Sequence, residues 1–137
     1  MDLLATELEI RRLLLATNTI GGFTLSFVCT EQGLLVASSS QGDTAEIAAG
    51  LTSLFNDIAI RAVTDLGLQA VDELTLVGGD DRFVVRPIPG LGSPRLYLVA
   101  VVPRDKTWRQ HTNSLCRRVA ELVGPLRAAL EEPSDAA

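Results

Sequence analysis

The sequence predicts an α+β domain with its elements in the order α-β-β-α-β-β-β-α, and three stretches carry that reading. Residues 23–66 read as two short strands, a tight turn between them, and one long helix that is apolar around about half of its circumference. Residues 71–86 read as a second hairpin folded about Gly78, Gly79, Asp80 and Asp81. Residues 95–102, RLYLVAVV, are apolar on both alternating faces, which marks an interior strand covered from both sides.

The elements follow in order. Residues 3–17 place Leu4, Leu8 and Leu15 at helical spacing with Glu7, Arg11 and Arg12 between them, a first amphipathic helix that Gly21 and Gly22 break. Residues 23–29 alternate Phe23, Leu25, Phe27 and Cys29 against Thr24, Ser26 and Val28, the period of a half-buried strand. Glu31, Gln32 and Gly33 supply the turn, and residues 34–38 return as the second strand. The serine cluster that follows, Ser38 to Ser40, has no accompanying base or oxyanion motif and reads as a loop leading to a helix cap.

The long helix spans residues 43–66. Asp43 and Glu46 have the spacing of a capping box, and Gly67 is placed to end the helix. At 100° per residue its polar side is a narrow stripe of Glu46, Gly50, Ser53, Asp57, Arg61 and Thr64. The opposite arc of about 180° is apolar, wider than the roughly 100° that one sheet covers. Part of it is expected to face the sheet and part a second covering. Residues 71–77 carry Asp72 and Glu73 and are expected to form an edge strand open to pairing with another chain. A last helix begins at Lys106 with Trp108, Leu115, Val119 and Leu122 on one stripe; Pro125 is expected to bend or end it, and the tail to be disordered.

Composition limits the function classes. The chain has 137 residues, enough for one domain with its own core, and 47% of them are hydrophobic, with a mean hydropathy of +0.26. A monomer of that composition has apolar surface to spare, and a second subunit is the ordinary way to cover it. The net charge of −5 argues against general nucleic-acid binding. Six of the twelve basic residues fall between Arg104 and Arg127, a cluster read as a solvated helix face with an acidic partner as the alternative. Cys29 and Cys116 stand outside any Cys-x-x-C or His/Cys cluster and are expected to be buried thiols in a reducing compartment. Residues 1–15 lack the pattern of a secretory signal and no segment is long and apolar enough to span a membrane, so a cytoplasmic protein without membrane insertion is expected. The loop 87–94 lacks the Lys and Ser/Thr of a phosphate-binding loop, and His111 has no partner ligand in a motif. No nucleophile elbow, His–carboxylate pair or metal spacing is present, so no enzyme activity and no cofactor or metal is expected.

The hairpin CTEQGLLVASS, the helix opening AEIAAGLTSLFNDIA, the segment ELTLVGGDDRFVVRPI and the strand LYLVAVV resemble the Roadblock family of dynein light chains and their bacterial and archaeal relatives, over about residues 3–124. Residues 125–137 form an extension beyond that match. The family's hairpin commonly turns on Asp-Gly where this chain has Gln32-Gly33, and its last helix opens on small residues where Lys106, Thr107, Trp108 and Arg109 stand here. The resemblance implies a five-stranded antiparallel sheet with the long helix on one face and the terminal helices on the other. It also implies a homodimer joined through the third strand with the long helices side by side. Leu51, Phe55, Ile58, Ala59, Ala62, Leu74 and Leu76 are the residues expected in that interface. Family members regulate or scaffold small Ras-like GTPases or join motor complexes, so the expected function is a non-enzymatic interaction module. The polar stripe of Glu46, Ser53, Asp57 and Arg61 is its expected partner surface. Arg61, spaced between Asp57 and Asp65, is expected to ion-pair on the surface rather than serve as an arginine finger. The alternative function is a small-ligand sensor, or a structural dimerisation domain without a GTPase partner.

Overall fold

A computed structural model describes residues 3–40, 42–92 and 95–131. The elements are α1 (Leu3–Gly21), β1 (Leu25–Thr30), β2 (Leu35–Ser38), α2 (Asp43–Leu66), β3 (Leu74–Val77), β4 (Asp81–Pro87), β5 (Leu96–Pro103) and α3 (Arg109–Glu131). The strands form one antiparallel sheet in the order β2-β1-β5-β4-β3. The expected order and strand number therefore hold, with β5 in the middle as its two apolar faces require.

The sheet divides the core in two. On one face Leu25, Phe27, Cys29, Val85, Tyr97 and Val99 meet Ala45, Ala48 and Ala49 of α2. On the other, Val28 and Leu98 meet Ile10, Leu13 and Leu14 of α1 and Leu115, Cys116 and Val119 of α3. Phe23, Val84, Ala100 and Val102 extend that second layer, with Trp108 against it. The strand β1 is thus buried on both faces rather than half-buried, and Phe23 lies before it, on the α1/α3 side, instead of sharing a face with Leu25 and Phe27.

Three helix boundaries or faces differ from expectation. In α1 the buried side is Thr6, Ile10, Leu13 and Leu14, while Leu4, Leu8 and Leu15 point to solvent. Both sets have helical spacing in a leucine-rich helix, so periodicity alone could not choose between them. The helix also runs on to Gly21, where the Asn18 carbonyl accepts from the Phe23 amide and the Asn18 side chain accepts from the Ser26 hydroxyl at 2.7 Å. In α2 the N-cap is Gly42, with no side-chain cap, so Asp43 and Glu46 lie in the first turn and act on the helix dipole instead of closing a capping box. Gly67 ends α2 in the left-handed conformation as expected, its amide and that of Leu68 both reaching the Ala62 carbonyl. In α3, which begins at Arg109, the helix continues through Pro125 to Glu131. A proline there removes one backbone hydrogen bond without forcing the chain out of the helix. The tail 132–137 expected to be disordered lies outside the described residues, as do Gln41, Ser93 and Pro94.

Both cysteines are free and buried as expected. Burial pushes the Cys29 and Cys116 thiols from the ordinary 9.0 up to about 11, opposed by the neighbouring Thr52 hydroxyl at Cys29 and by the Arg86 charge at Cys116. A folded-state value above the unfolded one means stability is fully present below pH 9 and is lost as pH rises through about 11. Unfolding midpoints are expected to hold up to pH 9 and fall from there to pH 11, the fall shrinking in a Cys29→Ala/Cys116→Ala variant. A second outcome checks the α1 register. Leu14→Ala should cost about 2–5 kcal/mol in urea unfolding, while Leu15→Ala, one residue on, should change stability by no more than about 0.5 kcal/mol.

Candidate interaction interface

The character of α2 follows from how closely it approaches the sheet. Its inward side is Ala45, Ala48, Ala49, Thr52, Asn56 and Ala59, all small or short, and all buried. The β1–β2 turn sets the distance: a Cβ on Gly33 would stand 2.9 Å from the Ala49 carbonyl oxygen, and Gly33 itself holds a φ of 86°. Only glycine meets both conditions. Two buried polar residues fix the helix lengthwise. The Thr52 hydroxyl donates to the Ala48 carbonyl at 3.1 Å, and the Tyr97 hydroxyl donates to Asn56 Oδ1 in a short contact. Burial, opposed by Arg95, raises the Tyr97 phenol above its usual range, so it stays a donor.

Because the small side faces in, the large side faces out. Ile47, Leu51, Leu54 and Ile58 are 68%, 48%, 57% and 51% exposed. None of the four covers the chain's own sheet; the part of the apolar arc that does so is its small side, Ala48 and Ala59. Phe55 is half-buried on the shoulder of the helix, its ring 5.8 Å from that of Phe83 on β4. Leu74, also half-buried, packs against the same cluster. Leu76, opposite Phe83 in the β3–β4 register, is 59% exposed. Phe55, Phe83, Leu74 and Leu76 thus run from the helix shoulder to the open edge of the sheet.

The residues expected to form a self-interface fall into three groups. Leu51, Ile58 and Leu76 are exposed; Phe55, Ala62 and Leu74 are half-buried beside them; Ala59, at 6% exposure, belongs to the sheet-facing core. Of the polar stripe, Glu46, Asp57 and Arg61 are exposed and Ser53 is half-buried, its hydroxyl donating to the Gly50 carbonyl. Thr52 and Asn56 were missed by the helical-wheel reading. Their signal was present, since both lie on the azimuth of Ala45 and Ala49, but a polar residue on an apolar face reads as an interruption until its partner is known.

The edge strand β3 is shorter than expected: Glu73 turns out of the ladder towards Trp108 and Arg109 at the opening of α3, and the Asp72 carbonyl accepts from Arg86 on β4. The Trp108 indole donates to Glu73 Oε1 at 2.8 Å, the Thr75 hydroxyl donates to Glu73 Oε2, and Arg109 stands 4.0 Å from that carboxylate. Arg82 and Arg109 lie over the Trp108 ring at 4.7 and 5.1 Å. The bulky opening of the last helix is therefore the anchor of the edge strand. Elsewhere on α3, Arg117 and Arg118 are exposed, as the solvated-face reading requires, and His111 packs edge-on against Phe23.

An open cleft of about 750 Å³ borders the C-terminal half of α2, between Ile60, Val63 and Thr64, the 69–72 segment and the loop through Pro89 and Gly90. It holds Arg95 together with Glu31 and Asp72, so it offers no single sign of charge to a ligand. Among the described residues no cluster of three or more metal-binding side chains converges, and no helix is long and apolar enough to cross a membrane.

The whole arrangement has relatives among solved structures. MglB in a tetrameric arrangement superposes with a TM-score of 0.75 at 14% identity, over 90% of this chain and 93% of that one. MglB of Myxococcus xanthus gives 0.69 at 14% identity, over 93% of both chains. A Roadblock/LC7 domain from Streptomyces avermitilis gives 0.63 at 17% identity, over 88% of this chain and 97% of that one. The chain has the Roadblock fold. No sequence-family model matches it, and no curated protein is significantly similar in sequence. At this identity the Roadblock likeness resides in the arrangement of α2 on the five-stranded sheet, which the Tyr97–Asn56 contact maintains. Tyr97→Phe leaves Asn56 buried without its donor and should cost about 1–3 kcal/mol in denaturant unfolding.

Proposed function

We propose that this Roadblock-fold chain is a non-enzymatic homodimeric module that binds and regulates a small Ras-like GTPase. The observation that carries the dimer is the apolar band from Phe55 and Leu51 on α2 to Leu76 on β3, which ends at an edge strand with one free side. Pairing β3 with the same strand of a second copy satisfies its outward backbone groups and continues the sheet. Leu51, Phe55, Ile58, Ala62, Leu74 and Leu76 then lose solvent together, at roughly 1.5–3 kcal/mol for each large side chain fully buried. Ala59 supports this joint from within the core rather than touching the partner.

The GTPase comes from the family resemblance. A dimer of this kind acts by contact, favouring one nucleotide state of its partner through shape and charge and ordering the partner's own catalytic loop. The exposed Glu46, Asp57 and Arg61, with Ser53 between them, are the charged and polar groups of α2 placed to set orientation and encounter rate. Immobilised protein is to be tested against the small GTPases of its own proteome in the diphosphate and triphosphate states. Selective retention of one state, weakened at least tenfold by Asp57→Lys, is the expected result; no retention in either state overturns the GTPase reading. The dimer is tested separately by Leu76→Lys, which puts a charge on the joint and should halve the mass in solution.

A further inference from the structure

Val63 stands on the sheet-facing side of α2 and yet is open. It lies about five turns beyond Ala45 and on the same azimuth, between those of Thr52 and Asn56. Those three are buried, whereas Val63 is 41% exposed. The space beside it is the cleft of about 750 Å³, which Ile60 and Val71 also line. An inward-facing aliphatic surface is thus left without a covering among the described residues.

The cleft continues into a second hollow. Asp72, Pro87 and Pro89 line both, and beyond them Arg86, Asn113 and Arg117 enclose about 240 Å³ between β4 and α3. Strand alternation puts Arg86 there: Val84 belongs to the α1/α3 layer, so the residue two further along β4 points the same way. Its Nη1 donates to the Thr112 hydroxyl at 3.0 Å and, in a short contact, to Asn113 Oδ1, while Nε reaches the Asp72 carbonyl at 3.4 Å. All three acceptors are uncharged. Nη2 makes no bond among the described residues, and it is not sealed from the hollow. Arg86 is half-buried and Arg117 exposed, and neither forms an ion pair among the described residues, where Arg12 and Arg109 do. A guanidinium held by neutral groups with its outer edge free is a ready receptor for a carboxylate.

We infer that the two hollows form one docking groove for an acidic segment of a protein partner, with a carboxylate side chain between Arg86 and Arg117 and apolar side chains against Val63 and Ile60. Charge selects the carboxylate. Arg86 and Arg117 bring two positive charges and Asp72 one negative, which leaves enough for a carboxylate and too little for a phosphate dianion. The cleft itself, where Arg95 faces Glu31, adds no net sign, so its part is apolar contact. None of the groups that hold the segment belongs to the β3 joint or to the polar stripe of α2, so the groove stands apart from the GTPase and dimer readings.

Nuclear magnetic resonance on the labelled full chain tests the groove, the probes being short synthetic peptides that each carry one glutamate and two leucines at varied spacing. Saturable shifts are expected together at the Arg86 Nε–H, the Asn113 side-chain amide and the Val63 and Ile60 methyl groups. Replacing the peptide glutamate by glutamine, or Arg117→Glu in the protein, should weaken binding about tenfold or more, the loss of one charge-assisted contact. Arg117 is exposed and makes no ion pair among the described residues, so that variant should keep the unsubstituted fold. Val63→Ala should weaken the leucine peptides and leave glutarate, the carboxylate without the apolar arm, unchanged. Absence of saturation with every peptide, equal binding of the glutamine forms, or shifts centred on Asp57 and Arg61 overturns the groove. Inorganic phosphate moving Arg86 and Asn113 at lower concentration than any peptide makes the hollow a free-anion site and overturns the partner. Arg117→Glu should leave nucleotide-selective retention of a GTPase unchanged, and Asp57→Lys should leave peptide binding unchanged, so either reading can fail alone.

Discussion

The close seat of α2 on the sheet is the constraint from which the rest of the molecule follows. A helix can approach a sheet closely only where its inward side chains are small and the opposing backbone has no Cβ in the way. Ala45, Ala48 and Ala49 satisfy the first condition, and Gly33, facing the Ala49 carbonyl, satisfies the second. Once the small residues are committed inward, a 24-residue helix rich in Ile and Leu has nowhere to place its large side chains except outward. The exposed row is therefore a geometric result of the packing beneath it.

The opposite layer works differently. There α1 and α3 bury large residues, Ile10, Leu14, Leu115 and Val119, against Val28 and Leu98, and the layer supplies most of the chain's own large-side-chain burial. The two faces thus divide the labour: one holds the monomer together and the other is left for contact. The link between them is Trp108, which lies just before α3 yet holds Glu73 at the entrance to β3. Through that contact the stable layer fixes the position of the open edge, so that any partner strand meets an ordered template and loses less entropy on pairing.

The order of elements, the central place of β5, the free edge at β3 and the αL glycine after α2 were legible because each rests on local chemistry: period-two alternation, turn residues, a glycine at a helix end. The inward side of each helix was not. In α1 the Leu4–Leu8–Leu15 set and the Ile10–Leu13–Leu14 set compete on equal hydrophobicity, and only the position of α3 breaks the tie. In α2 hydrophobicity pointed the wrong way, because the residues that face the sheet are the smaller and more polar ones, Thr52 and Asn56 among them. Their burial is favourable only through the Ala48 carbonyl and the Tyr97 hydroxyl, the latter contributed by a strand more than forty residues away. The residues expected in the interface divide for the same reason: Leu51, Ile58 and Leu76 are large and outward, while Ala59 is small and so lies inward.

The circumference of α2 resolves into three sectors with separate physical roles. The small sector fixes the helix on the sheet and is silent towards any partner. The aliphatic sector supplies affinity without direction, since burial of Ile and Leu is proportional to area and indifferent to what provides it. Direction has to come from the polar sector, where a single arginine among four aspartate and glutamate side chains on the same helix leaves few ways to satisfy it. Misplaced like charges cost more than a well-placed pair at the surface contributes, so such a pattern acts mainly by excluding wrong registers and wrong partners.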